Sequence, residues 1–366
     1  MKSGVQKGIK WFDDWALSGY KVSTLQLGLF RVFYASYFLF WSKVPDFSDT
    51  LNAFPKGIFN PPPGLAAMAN GIPNSLFLEV ADMVILVLFG LLFLGFFTRW
   101  VSILLCVLIT IMFGFVYGSG KIDHNFVAWL TLLVMSFSNW GASFSLDALL
   151  FGKDRSICSW PVSLLSLILG FAWFTAGSVK LLGGWLDITD QMSQAFFLRN
   201  YYALDRTDFL AGFFLEIHSP FLWEILDWIT VVFEIGFLFA AFIPRLFRIW
   251  TLVACVFHLI VFLQLNIPFS EYQPLYLLFW LPLLQTSQVN DTSQKKKILL
   301  IGGVFISICF VVQIFQGIPV FLLVLDLLTL DKYYYPLLLG LPLVILLTGF
   351  VVSQKKISWP GRNPRL

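Results

Sequence analysis

The 366-residue chain is 58% apolar and only 12% charged, with a mean hydropathy of +0.81. Soluble domains carry about a quarter charged residues and slightly under half apolar ones, so this composition excludes a water-soluble globular enzyme. It also excludes a disordered chain, a disulfide scaffold and a basic nucleic-acid binder, because 24 Lys and Arg against 21 Asp and Glu leave a net charge of only +3.

Residues 1–21 contain Lys2, Lys7, Lys10, Asp13 and Asp14 around no apolar core, so no cleavable signal peptide is expected. A bilayer core of about 30 Å needs about 20 apolar residues per helix. By that ruler, ten spans are expected, at roughly 22–42, 76–97, 100–118, 125–144, 159–182, 221–243, 247–266, 272–286, 297–317 and 334–352. The fold class expected is all-α: a polytopic membrane helix bundle of about ten transmembrane helices. The high aromatic share, 18%, suits side chains that face lipid tails and headgroups, so the lipid bilayer is the first partner implied.

Basic residues orient the bundle. With a cytoplasmic N-terminus, sixteen Lys and Arg fall in inner segments, and only Lys43, Lys56, Lys121, Arg199, Arg206 and Lys332 fall in outer ones. Both termini are therefore expected in the cytoplasm of a multi-pass integral membrane protein, in the inner membrane if the cell is bacterial. Residues 1–21 read as a cytoplasmic segment, 22–286 as one membrane domain, and 287–366 as two further hydrophobic segments with a basic tail. Two outer segments are long. Residues 43–75 include Pro61-Pro62-Pro63-Gly64, a turn signal, and residues 183–220 open with Gly183-Gly184-Trp185. Long connections of this kind tend to be lids or binding elements. Cys106, Cys255 and Cys309 lie in apolar runs and Cys158 in a short basic loop; no metal-ligand spacing appears and no metal is expected.

Ionisable groups within spans need partners or tasks. Arg31 in the first span needs an acceptor, because it cannot lose its proton. Glu224, Asp227 and Glu234 fall within about an 80° arc of the sixth span, and Glu234 lies near the depth of Arg31. A structural pair Arg31–Glu234 is therefore expected. His258, near mid-membrane, reads equally as a packing residue or as the lining of a polar cavity. Glu79 and Asp82 sit where headgroups would solvate them.

Lys180 ends the fifth span at the outer boundary. Snorkelling would lift its ammonium into water. Alternatively, Ala176 and Gly177, on the same helical face, leave a slot in which a flat ring could lie beside a desolvated, neutral amine able to act as a base. His124, flanked by Asp123 and Asn125, lies in a turn on the same side and is either an ordinary exposed residue or an acid/base group. Lys180, His124, Asp123, Glu224, Asp227 and the 183–220 segment thus gather at the outer half.

Several of these segments resemble a known family. Ala176-Gly177-Ser178-Val179-Lys180-Leu181 with Trp185 is similar to the lysine-bearing segment of vitamin K-dependent γ-glutamyl carboxylases, members of the wider horizontally transferred transmembrane (HTTM) family. Asp123-His124-Asn125, Ser145-Leu146-Asp147, Gly28-Leu29-Phe30-Arg31, Gly95-Phe96-Phe97-Thr98-Arg99, Phe257-His258-Leu259 and Leu265-Asn266-Ile267-Pro268-Phe269 resemble further segments, in family order over about residues 20–285. The resemblance implies a carboxylase-like enzyme that uses reduced vitamin K or another quinol to carboxylate glutamate in a peptide substrate. It implies Lys180 and His124 as catalytic residues, and Ala176, Gly177, His258 and Trp185 at the cofactor. Asp123, Asn125, Glu224 and Asp227 would stand around the substrate. The chain departs from animal carboxylases in following residue 286 with two hydrophobic segments and a tail, not a large extramembrane region, and in having Val179 where they have a second lysine. A soluble partner subunit would then supply peptide docking. The alternative is a non-catalytic membrane partner in secreted-peptide maturation or immunity. No haem-ligand pair or inverted repeat supports electron transfer or transport.

Overall fold

The computed structural model of the chain describes residues 2–41, 46–55, 57, 59–61, 63–119, 126–152, 157–283, 335–337, 339–340 and 344. Among the described residues all regular structure is helical, with thirteen α-helices and no strand. Two compact units divide at Trp173/Phe174. The first holds α1 (Lys2–Ser18), α2 (Thr24–Ser36), α3 (Phe47–Asn52), α4 (Ser75–Leu94), α5 (Thr98–Val116), α6 (Phe126–Met135), α7 (Leu146–Leu150) and the start of α8 (Trp160–Leu182). The second holds the end of α8, α9 (Met192–Ala203), α10 (Ala211–Leu215), α11 (Pro220–Ala241), α12 (Pro244–Leu265) and α13 (Gln273–Trp280).

Among the described residues four helices, α4, α5, α8 and α12, are long and apolar enough to cross a membrane. The chain is a helical membrane protein. Other expected spans differ from the sequence reading for local reasons. The span at 22–42 is α2 continued by a π-helical turn, Tyr37–Trp41. The span at 125–144 is only the ten-residue α6 followed by turns. The Ser136 and Ser138 hydroxyls donate to the carbonyls of Leu133 and Met135, and Asn139 takes a left-handed φ of 60°. Side-chain bonds of this kind compete with the helix ladder, and the left-handed residue stops it. The span at 221–243 is matched by α11, whose 22 residues carry three carboxylates. The span at 272–286 shrinks to the eight residues of α13 between 3₁₀ turns. Those at 297–317 and 334–352 lie outside the described residues, apart from the few positions from 335 to 344.

Neither of the two long segments expected on the outer side is a bare loop. Residues 43–75 contain α3, and residues 183–220 contain α9 and α10. Phe197 of α9 stacks on Trp223 of α11 with centroids 5.6 Å apart, and both are buried in a core with Ala211 and Leu265. Burying two aromatic side chains removes a large apolar area from solvent, which fixes α9 as a packed element and not a free lid.

The first unit is organised around Arg31, which is completely buried. Its Nη1 donates to the carbonyls of Leu92 (2.5 Å) and Phe93 (2.6 Å) in the last turn of α4. Its Nε donates to Trp140 (3.3 Å) and its Nη2 to Phe144, both in the stretch after α6. This corrects the expected Arg31–Glu234 pair: α2 meets carbonyls that α4 leaves open at its C-terminus, and these satisfy the fork. Close approach needs missing side chains. A Cβ on Gly28 would sit 2.5 Å from the Ser143 carbonyl oxygen, and one on Gly95, at φ +70°, 2.6 Å from Arg31 Nη1. Asp147 completes the knot by accepting from the N–H groups of Phe97 (2.7 Å) and Thr98 (2.8 Å) and from the Thr98 hydroxyl (2.7 Å), which caps α5. Three segments singled out in the sequence, 28–31, 95–99 and 145–147, therefore converge on one structural cluster.

Arg31→Met removes a charged donor from four backbone carbonyls and is expected to cost about 3 kcal/mol or more. Arg31→Lys should restore less than half, because one ammonium cannot bridge the same span. Thermal unfolding of the purified protein in detergent measures both. Equal stability of all three proteins would contradict this account.

Candidate functional site

The second unit brings Lys180 to Glu234. From the last turn of α8, Lys180 Nζ reaches both carboxylate oxygens of Glu234 on α11, at 2.5 and 2.6 Å. The lysine side chain is 23% exposed and that of Glu234 only 4%. What lets the helices meet is Gly177, one turn before the lysine. A Cβ there would lie 2.8 Å from Glu234 Cβ and 2.9 Å from Ile235 Cγ1. The slot expected beside the amine is therefore filled by α11, and Ala176 is exposed instead of lining it. A flat ring does not fit at that place. The small residues serve helix–helix approach, a role such residues commonly have in membranes.

The end of α8 supplies the third side chain. Gly184 adopts φ +83°, and the Trp185 N–H returns to the Lys180 carbonyl at 3.2 Å. Such a bond over five residues, with glycine in the left-handed position, ends a helix and folds the next residue back over the last turn. The Trp185 ring thereby comes to 5.3 Å from the Lys180 ammonium, within cation–π range. The turn continues into Asp187, whose carboxyl is held below its ordinary range by the Thr189 N–H (3.0 Å) and hydroxyl (2.7 Å).

The other carboxylates of α11 have separate occupations. Asp227, fully buried, accepts from the N–H groups of Met192 (3.0 Å) and Ser193 (2.8 Å) and from the Ser193 hydroxyl (2.6 Å). It caps α9, as Asp82 caps α3 through Phe47 (3.1 Å) and Ser48 (2.8 Å). Glu224 accepts from the Trp228 indole at 2.8 Å. Asp82 had been expected to rely on headgroup solvation; Glu79 is exposed. Asp227, expected around a substrate, is instead fastened to protein donors, whereas the second carboxylate oxygen of Glu224 is buried and accepts no hydrogen bond among the described residues.

His258 is buried in an aromatic box, with ring centroids of Phe269, Tyr272 and Tyr276 at 5.1, 5.8 and 6.1 Å. Asn266, from the neighbouring motif, caps α12 at φ 52°, and its side-chain amide pairs with the Asp208 backbone in both directions, at 3.0 and 3.2 Å. Asp123, His124 and Asn125 lie outside the described residues. Among the described residues, no group of His, Cys, Asp and Glu is arranged to hold a metal. No protein-family model, curated protein or solved structure matches the chain.

Sequence reading identified Lys180, Gly177 and Trp185 but assigned Glu234 to another partner. The signal available was positional: Gly177 one turn from Lys180 marks the face that approaches another helix, and α11 carries the acid.

Breaking a buried ion pair on one side strands a charge, whereas replacing both partners by apolar groups restores packing. Lys180→Met and Glu234→Leu are each expected to cost about 3 kcal/mol, and the double variant to recover most of that loss. Unfolding midpoints of the four proteins in detergent report the coupling, and additive losses would show that the two residues do not interact.

Proposed function

We propose that this chain is a polytopic membrane enzyme of the vitamin K-dependent carboxylase-like (HTTM) class, with Lys180 and Glu234 as its proton-handling pair. The full bundle would have about ten spans with both termini in the cytoplasm, and the pair would lie toward the outer leaflet. The observation that carries this reading is a part-buried amine, held by both oxygens of one carboxylate and faced by an indole, at the end of a helix able to cross a membrane.

The chemistry rests on the chain's own atoms. Passage of one proton from Lys180 Nζ to a Glu234 oxygen turns the ion pair into an amine and a carboxylic acid, with no change in net charge. The lone pair on Nζ is then a general base, which contributes typically 10²–10⁴-fold where the proton is within reach. Because the Gly177 side is closed, no step is assigned to a ring held there. An aromatic substrate would instead meet the amine against Trp185. The family's quinol, if used, supplies the strong base for carbon–hydrogen cleavage, and the described residues add water exclusion by their apolar setting. His124 would act as partner on the same side, and a peptide glutamate would be the acceptor.

A second reading has its own support. Lys180 and Glu234 satisfy each other across a glycine contact, which is also how a helix staple is built in a non-catalytic membrane partner for secreted-peptide maturation or immunity.

Lys180→Arg separates the two. Arginine can keep the ion pair but cannot surrender its proton. With vitamin K hydroquinone, bicarbonate and a glutamate peptide, the parent protein is expected to form epoxide and carboxylated peptide. Lys180→Arg should lose about 100-fold or more of that rate at near-parental stability. Absence of both products from the parent, together with unchanged stability of the arginine variant, leaves the staple alone.

A further inference from the structure

The first unit contains a cavity of about 560 Å³ that none of the preceding chemistry uses. Its volume falls within the roughly 300–1,000 Å³ range of small-molecule sites. The wall includes Arg99, Phe137, Asn139, Asp147, Cys158 and Trp160. Arg99 is the second residue of α5, one of the helices long enough to cross a membrane, so it stands at the edge of the hydrocarbon layer. Phe97, Trp100 and Phe151 nearby are 51%, 68% and 66% exposed. Exposed aromatics at the end of a span mark headgroup height.

The charges in this wall are unequal in their commitments. The Asp147 oxygens already accept three hydrogen bonds from Phe97 and Thr98 at the start of α5. The Arg99 guanidinium lies over the Phe137 ring at 5.5 Å, and among the described residues no carboxylate is paired with it. The aromatic face orients the planar cation while leaving its N–H edges for a ligand. A guanidinium fork in that state matches phosphate oxygens better than it matches any neutral group.

We infer that this cavity is a phosphate-binding site, with Arg99 as the charge partner and Phe137 as its support, filled by the headgroup of an anionic phospholipid or by free phosphate. The site is independent of Lys180 and of the enzymatic reading.

Cys158 provides a reporter, because it is exposed in the wall whereas Cys106 and Cys255 are buried. Cys309, outside the described residues, is replaced by serine. The full chain is placed in nanodiscs of phosphatidylcholine alone or mixed with phosphatidylglycerol, and alkylation of Cys158 by the neutral reagent N-ethylmaleimide is timed. One charge-assisted contact corresponds to about tenfold slower labelling in the anionic lipid. Inorganic phosphate added to phosphatidylcholine discs forms the second arm: protection there identifies a free phosphate, and protection only by phosphatidylglycerol identifies the headgroup. Arg99→Gln should abolish protection, and Arg99→Lys should keep part of it. Continued inertness of Cys106 and Cys255 verifies that each variant is folded. No protection in either arm, or protection that survives Arg99→Gln, overturns the site.

Discussion

A guanidinium buried away from water must find acceptors for its N–H groups, and in this chain the backbone provides them. Arg31 collects carbonyls from the end of α4 and from the stretch after α6, which joins three segments that share no sequence pattern. Much of the local architecture follows from that requirement. Gly28 and Gly95 leave room for the approach, and Phe144 accepts a left-handed φ of 50° so that its carbonyl faces the cation. Bulky residues resist such a conformation, and the hydrogen bond to a charged donor offsets the strain. Gly141 packs against Thr98 in the same cluster, where a Cβ would lie 2.6 Å from the threonine oxygen.

The acids that reach across to another helix divide into two kinds. Asp82, Asp147 and Asp227 each reach across to the first turn of another helix and accept two adjacent backbone N–H groups. There the acid's oxygens satisfy donors that the start of a helix leaves open, which is a structural task. Glu234 is different. Its partner is a side-chain ammonium on another helix, not the start of a helix. That distinction, more than depth in the membrane, separates a carboxylate that builds the protein from one that could do chemistry in it.

The helical class and the membrane setting were legible because they rest on composition and on runs of apolar residues such as 75–94 and 98–116. Shorter elements were not. Hydropathy continues past Met135, yet Ser136, Ser138 and Asn139 divert the backbone, and nothing in an apolar count registers a hydroxyl donating to its own helix. In the candidate site, Lys180 stood out as a charge near small residues. The error concerned what those residues accommodate. Gly177 and an empty slot look alike in sequence, because absence of a side chain signals room without saying whether a ligand or a neighbouring helix takes it. Arg31 and Glu234 were matched by depth, but depth cannot choose between a carboxylate and four carbonyls.

The contacts of Arg31 are also far apart in the order of synthesis. Its acceptors follow it by 61 to 113 residues. At about 5–20 residues per second, a ribosome delivers the last of them roughly 6 to 23 seconds after the arginine itself. During that interval the arginine gains its acceptors in stages, Leu92 and Phe93 first, then Trp140 and last Phe144. The full set therefore exists only once residue 144 is made, and the knot that joins α2, the end of α4 and the stretch after α6 is among the last contacts of these segments to close.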